Sequence, residues 1–463
     1  MKNFTEAKRL PIMAGLLIGG FIGMFSETAL NIALSPLSTK LGVTTGTIQW
    51  LVIGYLLMVG IVLPLSGLLT RWFTTRQLLI FALCDFIVGA LIAALSSTFA
   101  FLFIGRLIQG IGTGILLPLI FTVALAIYPL DKRGSAMGLI GLTIMFAPAL
   151  GPTVAGLILG ALSWQYIFWV MIPFLVVALL IAIKFTENVV PITKPHVDIL
   201  SILLSTLGFG GVVVGISLAS NKGWTSTIVL GSLLVGIVAL FFFVRRQLKL
   251  PAPILNVKAF AHGGFSLGTG LVMVDFMIIM SSMYLLPIYW QRALVVPVAL
   301  TGMLMLPGGL FNAFVSSISG RLYDSVGPRK PAMLGFLVSI VGALMLFFSN
   351  ADSSYFYVVC AHIILMVGAP LAMSPSQTHG LNALPPQLSP DGSSIMNTLE
   401  QIFGAIATAL ATSLLGAGEA ASNATGAVKV ASGTHYGFAL TVGLAVIGFI
   451  LTFALPRKQK NVA

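Results

Sequence analysis

Apolar runs long enough to cross a lipid bilayer recur from one end of this 463-residue chain to the other. A helix needs about 20 residues to cross a hydrocarbon core of roughly 30 Å. Only 8% of the residues are charged, whereas soluble domains carry about 25%. The pattern therefore predicts an all-α integral membrane protein with fourteen spans, which we place at 11–34, 48–69, 77–97, 99–127, 136–161, 164–184, 199–220, 226–244, 264–290, 298–319, 331–349, 355–374, 393–416 and 437–455.

Lysine and arginine residues are concentrated in alternate connecting segments. With the N-terminus in the cytoplasm, 19 of the 24 basic residues fall in inner segments and Arg106 falls within a span. The outer segments then hold the other four: Lys40, Lys222, Arg292 and Lys429. The positive-inside rule places both termini in the cytoplasm. This rule explains the net charge of +12, so we expect no nucleic-acid partner.

The sequence offers little chemistry outside the membrane. Cys84 and Cys360 both fall inside apolar runs, which favours neither a disulfide framework nor a metal site. We find no phosphate-binding loop for ATP, no channel-type filter loop and no catalytic cluster. We therefore expect neither an enzyme nor a bound cofactor.

Two basic loops indicate an internal repeat. Gly67 and Arg76 follow the second span, and Gly320 and Arg329 follow the tenth with the same nine-residue separation. If the tenth span repeats the second, two six-helix halves flank an inserted helix pair, although chance similarity between short basic loops is the alternative. This 6 + 2 + 6 division predicts an N-terminal half, an inserted pair with its linker, and a C-terminal half at 1–190, 191–262 and 263–463.

Glu27 lies deep in the first span, where a carboxylate costs about 2.5–3.5 kcal/mol unless it faces a partner or a wet cavity. Arg106 lies at a similar depth in the fourth span, roughly 10 Å below its outer end. A buried arginine needs a counter-charge, which Glu27 can supply, and only Glu27 of the two can take up a proton. The alternatives are a purely structural ion pair, or a glutamate that reaches the headgroups.

The second half shows a weaker parallel. Asp275 lies near the middle of the ninth span, where it could titrate or bind a cationic group of a substrate. His362, in the twelfth span, could line a cavity or be a satisfied core histidine. Glu400 is placed about 10 Å from the cytoplasmic end of the thirteenth span, where it could receive a cation or release protons. Asp85 in the third span is more simply explained by structural pairing.

Four segments carry a resemblance to a known family. They are Glu27-Thr-Ala-Leu-Asn31 followed by Gln49-Trp50, residues 102–114 around Arg106, residues 147–156, and residues 392–401. The chain resembles the major facilitator superfamily, and within it the fourteen-helix drug:proton antiporters of the EmrB/QacA and LmrB-like type. In this family the Pro-Gly segment of the fifth span, which includes Gly151 and Pro152, closes the cytoplasmic side.

The resemblance also implies which residues change conformation. The matching positions are Gly67, Arg71, Arg76, Gln109, Gly110, Gly151, Pro152, Gly156, Gly320, Asp324 and Arg329. The first basic loop departs most from the family pattern, because Arg71 replaces an expected aspartate and Thr74 an expected glycine. The second loop keeps Asp324.

Together, these observations predict a proton-coupled exporter of lipophilic, often cationic drugs that works by alternating access. The alternative is proton-coupled export of a dedicated metabolite, lipid or peptide by the same fold. We expect proton coupling at Glu27, Arg106, Asp275 and Glu400. The predicted substrate cavity is lined by Phe25, Asn31, Tyr55, Phe146, Met280, Tyr284, His362, Asn397 and Gln401. We expect a monomer in a bacterial cell membrane, with small-molecule drugs, protons and membrane lipid as its partners.

Overall fold

The computed structural model describes residues 6–128, 133–189, 192, 194, 198–251, 253–385 and 388–456. The regular elements in these ranges are all helical. The α-helices are α1 Glu6–Ala29, α2 Leu34–Leu41, α3 Thr45–Ile48, α4 Trp50–Trp72, α5 Thr75–Leu95, α6 Phe99–Ile127, α7 Arg133–Ala161, α8 Gln165–Phe185, α9 Ile199–Lys222, α10 Thr227–Lys249, α11 Gly263–Ile288, α12 Val298–Val326, α13 Arg329–Phe347, α14 Tyr355–Asn382, α15 Ser389–Ala421 and α16 Gly426–Leu451.

Short polar residues begin several of these helices. At the start of α5, the Thr74 side chain accepts from the Gln77 amide while the Gln77 side chain accepts from the Thr74 amide. Thr44 and Ser354 accept from backbone amides in the same way at the starts of α3 and α14. Such caps satisfy amide groups that have no partner inside the helix. The boundaries of the spans are therefore encoded locally, outside the apolar runs.

The fourteen predicted spans all correspond to helices, although several helices extend beyond the predicted bounds. The first apolar segment continues through a 3₁₀ turn at Leu30–Ala33 and through α2 to Leu41. The last helix begins at Gly426, eleven residues before the predicted start at 437, and α12 and α14 end seven and eight residues after their predicted ends. Hydropathy makes these spans too short because polar residues continue a helix beyond the hydrocarbon layer. Glu27 consequently lies near the middle of its span.

The packing repeats between the two ends of the chain. In the first half α5 packs on α6 and α8, and α1 packs on α7 and α8. In the second half α13 packs on α14 and α16, and α11 packs on α15 and α16. Each of these helices of the second half thus occupies the position in the packing that the helix eight spans earlier occupies in the first half. This correspondence agrees with the repeat inferred from the two basic loops.

The two halves meet along two helix pairs, α7 with α12 and α4 with α15. The inserted helix α9 packs against both α4 and α15, and α10 packs mainly on α9. Helix α11 is the most deeply buried span. The centre of the molecule therefore lies among α1, α4, α6, α11 and α15, where the unusual polar residues are found.

Candidate polar centre between the two halves

Arg106 is fully buried in α6 and is held by hydrogen bonds rather than by a carboxylate. Its Nε donates to the Leu51 carbonyl at 3.1 Å, and its Nη1 donates to Ser26 Oγ at 2.6 Å and Gln109 Oε1 at 2.9 Å. These bonds tie α6 to α1 and α4. Hydrogen bonds from a charged donor are stronger than neutral ones, so the guanidinium is fixed in place.

The aromatic ring of Tyr55 packs against the guanidinium of Arg106. The Arg106 Cζ lies 4.1 Å from the centre of the Tyr55 ring, a favourable cation–π distance. The Tyr55 hydroxyl donates to the Gly23 carbonyl and bonds to Thr113 Oγ1, both at 2.8 Å. Tyr55, which we predicted to line the cavity, is therefore fully buried and supports the arginine.

Glu27 interacts with Arg106 through space. Its side chain is 2% exposed, and its Oε2 has no hydrogen-bond partner among the described residues. Within the same part of the chain Arg106 Nη2 also lacks a partner, and the two side chains interact electrostatically. Glu27 thus supplies a nearby counter-charge, while Ser26, the residue next to it, accepts the hydrogen bond from Nη1. Sequence reasoning overlooked Ser26 because a serine in a helix carries no distinctive signal.

The carboxylates of the second half lie within electrostatic reach of this centre. Asp275 in α11 is fully buried, and neither of its carboxylate oxygens has a hydrogen-bond partner. Glu400 in α15 is 9% exposed, with Oε1 unpartnered. Glu400 interacts electrostatically with Asp275 on one side and with Glu27 on the other. The structure therefore groups three predicted coupling residues that the sequence had left separate.

The depth of Glu400 differs from the sequence estimate. Helix α15 begins at Ser389 rather than at 393, which puts Glu400 eleven residues, or roughly 16 Å, from the start of the helix. Nearby, a Cβ on Gly404 would approach the Phe276 ring at 2.7 Å and Met280 Cγ at 3.2 Å. Glu400 is thus held at the depth where α15 meets α11, farther from the cytoplasmic end than predicted.

His362 lies in α14 with both ring nitrogens unpartnered and 2% of its surface exposed. A Cβ on Gly308 of α12 would collide with its ring. The histidine is therefore packed against bare backbone. Among the described residues neither ring nitrogen has a hydrogen-bond partner, so the histidine is a packed core residue whose polar atoms the protein does not satisfy there.

The other predicted lining residues lie mostly in packed protein. Asn31 and Gln401 are 4% exposed, and each has an unpartnered amide oxygen. Phe25, Met280 and Tyr284 are also buried, whereas Phe146 and Asn397 are partly exposed. A Cβ on Gly60 of α4 would meet the Ile402 side chain at 2.7 Å. Helices α4 and α15 are thus in close contact beside these side chains.

The contacts on the predicted outer side join the two halves. Gln291 Nε2 donates to the Ile32 carbonyl at 2.8 Å, and Thr153 Oγ1 donates to the Gly302 carbonyl at 2.9 Å. A cavity of about 150 Å³ lies among α2, α3 and the end of α11, where Tyr284 and Arg292 form part of its wall. The outer ends of the halves are therefore held together in this conformation.

The Pro-Gly segment of α7 takes part in this outer contact. Gly151 packs on α1 at Thr28, and Gly156 packs on Gly302 at the beginning of α12. The family resemblance implied that this segment closes the cytoplasmic side. That role stays a prediction; in this conformation the segment lies where α7 packs on α1 and on α12. Pro152 contributes its carbonyl oxygen to the contact with Gly302.

The basic loop after α4 lies on the predicted cytoplasmic side, opposite the contacts just described. Arg76 Nη2 donates to the Ile183 carbonyl at 2.6 Å at the end of α8. The Arg71 carbonyl accepts from the Lys194 amide at 3.1 Å, and the Arg71 side chain interacts electrostatically with Asp391 of α15. Arg71 therefore has an acidic neighbour across the two halves, even though it replaces the expected aspartate.

The remaining motif residues differ in their surroundings. Gln109 accepts from Arg106, and Gly110 allows α6 to approach the Tyr55 backbone. A Cβ on Gly67 or Gly320 would meet no neighbouring atom, and Arg329 Cζ lies 5.5 Å from the Phe453 ring centre. The predicted role of Asp324 concerns a side chain outside the described part of the chain.

The sequence matches known proteins over almost its whole length. A family model described as Major Facilitator Superfamily matches residues 16–200 and 199–408. The Lincomycin resistance protein LmrB of Listeria monocytogenes is 48% identical over 463 residues, covering 98% of both chains. The protein of the same name from Bacillus subtilis is 48% identical over 469 residues, again covering 98% of both.

The fold matches solved transporter structures despite low sequence identity. A crystal structure of a D-xylose-proton symporter superimposes with a TM-score of 0.72, covering 96% of this chain and 97% of that one at 13% identity. This likeness concerns the fold alone. The family match and the relatives at 48% identity show that this multi-pass membrane protein is a transporter and not an enzyme. The chain belongs to the Major Facilitator Superfamily.

Proposed function

We propose that this protein is a proton-coupled exporter that extrudes lipophilic, often cationic small molecules by alternating access. The observation that supports it best is the placement of three buried carboxylates: Glu400 lies within electrostatic reach of both Glu27 and Asp275. Glu27 in turn lies within reach of the fixed guanidinium of Arg106. The relatives that share 48% of the sequence are named lincomycin resistance proteins. We therefore include lincomycin among the proposed substrates.

The charges of this centre set how many protons it can hold. Arg106 stays charged, so one ionised carboxylate balances it. Each further ionisation adds repulsion between neighbouring carboxylates in a medium of low dielectric constant, so the centre favours binding a proton or a cation there. A bound cationic drug and bound protons would then compete for the same negative charge. Such competition is what an antiporter requires.

The membrane potential and proton gradient would supply the energy. One elementary charge that crosses 100 mV provides about 2.3 kcal/mol, which corresponds to roughly a fiftyfold concentration ratio. Glu27 and Glu400 come from opposite halves, on α1 and α15. Rocking of the halves would therefore change the distance between these two carboxylates, and with it the cost of ionising both.

The test measures drug accumulation in cells that express the protein, with lincomycin and a lipophilic fluorescent cation as probes. We expect export that a protonophore abolishes, and loss of coupled export in Glu27→Gln. Asp85→Asn is the matched control, because Asp85 is a carboxylate within a span that lies against Gly112 of α6 rather than in the centre. Export that persists with a protonophore would disprove proton coupling.

A second measurement addresses the centre directly. Adding substrate to purified protein in weakly buffered solution should release protons, and the release should fall in Glu27→Gln, Asp275→Asn or Glu400→Gln. Proton release that is unchanged in all three variants would place the coupling site elsewhere. Substrate that binds without any proton release would disprove competition between substrate and protons at this centre.

A further inference from the structure

The inserted helix pair ends in a basic pocket on the membrane face predicted to be cytoplasmic. The pocket has a volume of about 490 Å³. Its walls come from both helices: Leu200 and Leu204 of α9, and Phe242, Arg245, Arg246 and Lys249 of α10. Neither helix contributes to the polar centre described above, so this pocket needs a separate explanation.

Helical spacing places all four α10 residues on one face. Positions 245, 246 and 249 come three, four and seven residues after position 242. This spacing brings the four side chains together along one side of the helix. The two leucines of α9 are likewise four residues apart. The pocket therefore has an apolar wall toward the membrane interior and three cations at its rim.

A hydrogen-bond network fixes one of the three cations. Arg246 donates from Nε to Asp198 Oδ2 at 2.7 Å and from Nη2 to Oδ1 at 2.8 Å. Asp198 also accepts from Ser201 Oγ, which in turn accepts from Gln247 Nε2 at 2.6 Å. These bonds clamp the start of α9 to the end of α10.

The same pair determines the net charge of the pocket. Arg246 holds the pKa of Asp198 at about 2, so this carboxylate is ionised at neutral pH and cancels one positive charge. Arg245 and Lys249 are both exposed. The pocket therefore retains two uncompensated positive charges on a rigid support.

The surroundings distinguish a lipid from a free anion. Helix α10 is among the least buried spans, and Ile237, Val238 and Phe241 on it are 44–60% exposed. This apolar surface continues from the pocket into the hydrocarbon layer, where acyl chains would cover it. A free phosphate would use only the cationic rim and leave Leu200, Leu204 and Phe242 without a role.

We propose that this pocket binds an anionic phospholipid of the cytoplasmic leaflet, with its phosphate between Arg245 and Lys249 and its acyl chains along α9 and α10. Basic pockets between helices on the cytoplasmic side suit such headgroups. The site lies on helices outside the two six-helix halves. It does not depend on the transport function proposed above.

The experiment titrates purified full-length protein in neutral detergent with phosphatidylglycerol, phosphatidylcholine or inorganic phosphate, and counts bound lipid by native mass spectrometry. We expect phosphatidylglycerol to bind at least tenfold more tightly than phosphatidylcholine. Inorganic phosphate at the same concentration should not displace it. Arg245→Gln combined with Lys249→Gln should weaken phosphatidylglycerol binding about thirtyfold.

The matched control is Lys184→Gln with Lys330→Gln, which removes two exposed cations from the same predicted face outside the pocket. It should retain the affinity of the unmodified protein. Equal binding of the two lipids, an equal loss in the control, or displacement by inorganic phosphate would each overturn the proposal. If the double variant fails to fold, the single variants Arg245→Gln and Lys249→Gln decide the matter, since each should weaken phosphatidylglycerol binding about fivefold.

Discussion

The two halves of the molecule contain buried polar centres of opposite design. In the first half, Arg106 has three hydrogen bonds and an aromatic face beneath it. In the second half, Asp275 and His362 are also buried, and neither has a hydrogen-bond partner among the described residues. Buried polar groups are nearly always satisfied. The comparison teaches that hydrogen bonds within the protein fix the charged arginine of the first half, whereas no such bonds in the described part of the chain fix the polar groups of the second.

The largest effect should come from Arg106→Ala. The substitution leaves Ser26, Gln109 and the Leu51 carbonyl unsatisfied and opens a cavity under Tyr55, so we expect a loss of about 3–5 kcal/mol in the free energy of unfolding. Denaturation of purified protein by sodium dodecyl sulfate measures it. A loss below 1 kcal/mol would show that the polar centre of the first half stabilises the fold no more than that of the second half does.

Gly308→Val should have a smaller effect of about 1–3 kcal/mol, because the new side chain must displace the His362 ring from a packed position. Combining it with His362→Ala makes room for the valine and should recover most of the loss. The same denaturation measurement applies. Additive losses in the double variant would mean that the histidine is not packed on α12.

Asp275→Asn should leave stability unchanged or raise it by up to about 1 kcal/mol, because an amide costs less to bury without a partner than a carboxylate does. Transport should nevertheless fall. A variant that keeps its stability but loses transport would show most clearly that Asp275 serves activity, whereas Arg106 serves the fold. A destabilisation as large as that of Arg106→Ala would remove the distinction between the two centres.

The smallest effect should come from Asp198→Asn, which breaks a partly exposed ion pair worth up to about 1 kcal/mol. Arg246 lowers the pKa of Asp198 to about 2. The stability that the ion pair gives the folded protein is therefore fully present above pH 4 and is lost as the pH falls toward 2. Thermal melting from pH 3 to pH 8 should show a constant difference above pH 5. A difference that grows between pH 5 and pH 8 would contradict this assignment.

The sequence predicted the helices well because apolar length is a one-dimensional property. It placed α6 at its observed bounds, and it identified Glu27, Arg106 and Asp275 as unusual because charge in an apolar run needs no structure to be noticed. It shortened the first and last spans, where helical hydrogen bonding continues into polar residues such as Ser35 and Lys429.

What the sequence could not provide was proximity. Glu400 and Glu27 are 373 positions apart, and only the packing of α15 on α4 and α11 brings their charges together. The supporting bonds of Ser26 and Thr113 were missed for the same reason. Their hydroxyls resemble any others in a span until the neighbouring helix is known.

Helix α9 touches α4 from one half and α15 from the other, and this has a mechanical consequence. If the two halves rock against each other as proposed above, a helix packed on both must slide over at least one of them. The surface of α9 would then take part in every turn of the proposed cycle, although it lies outside the polar centre.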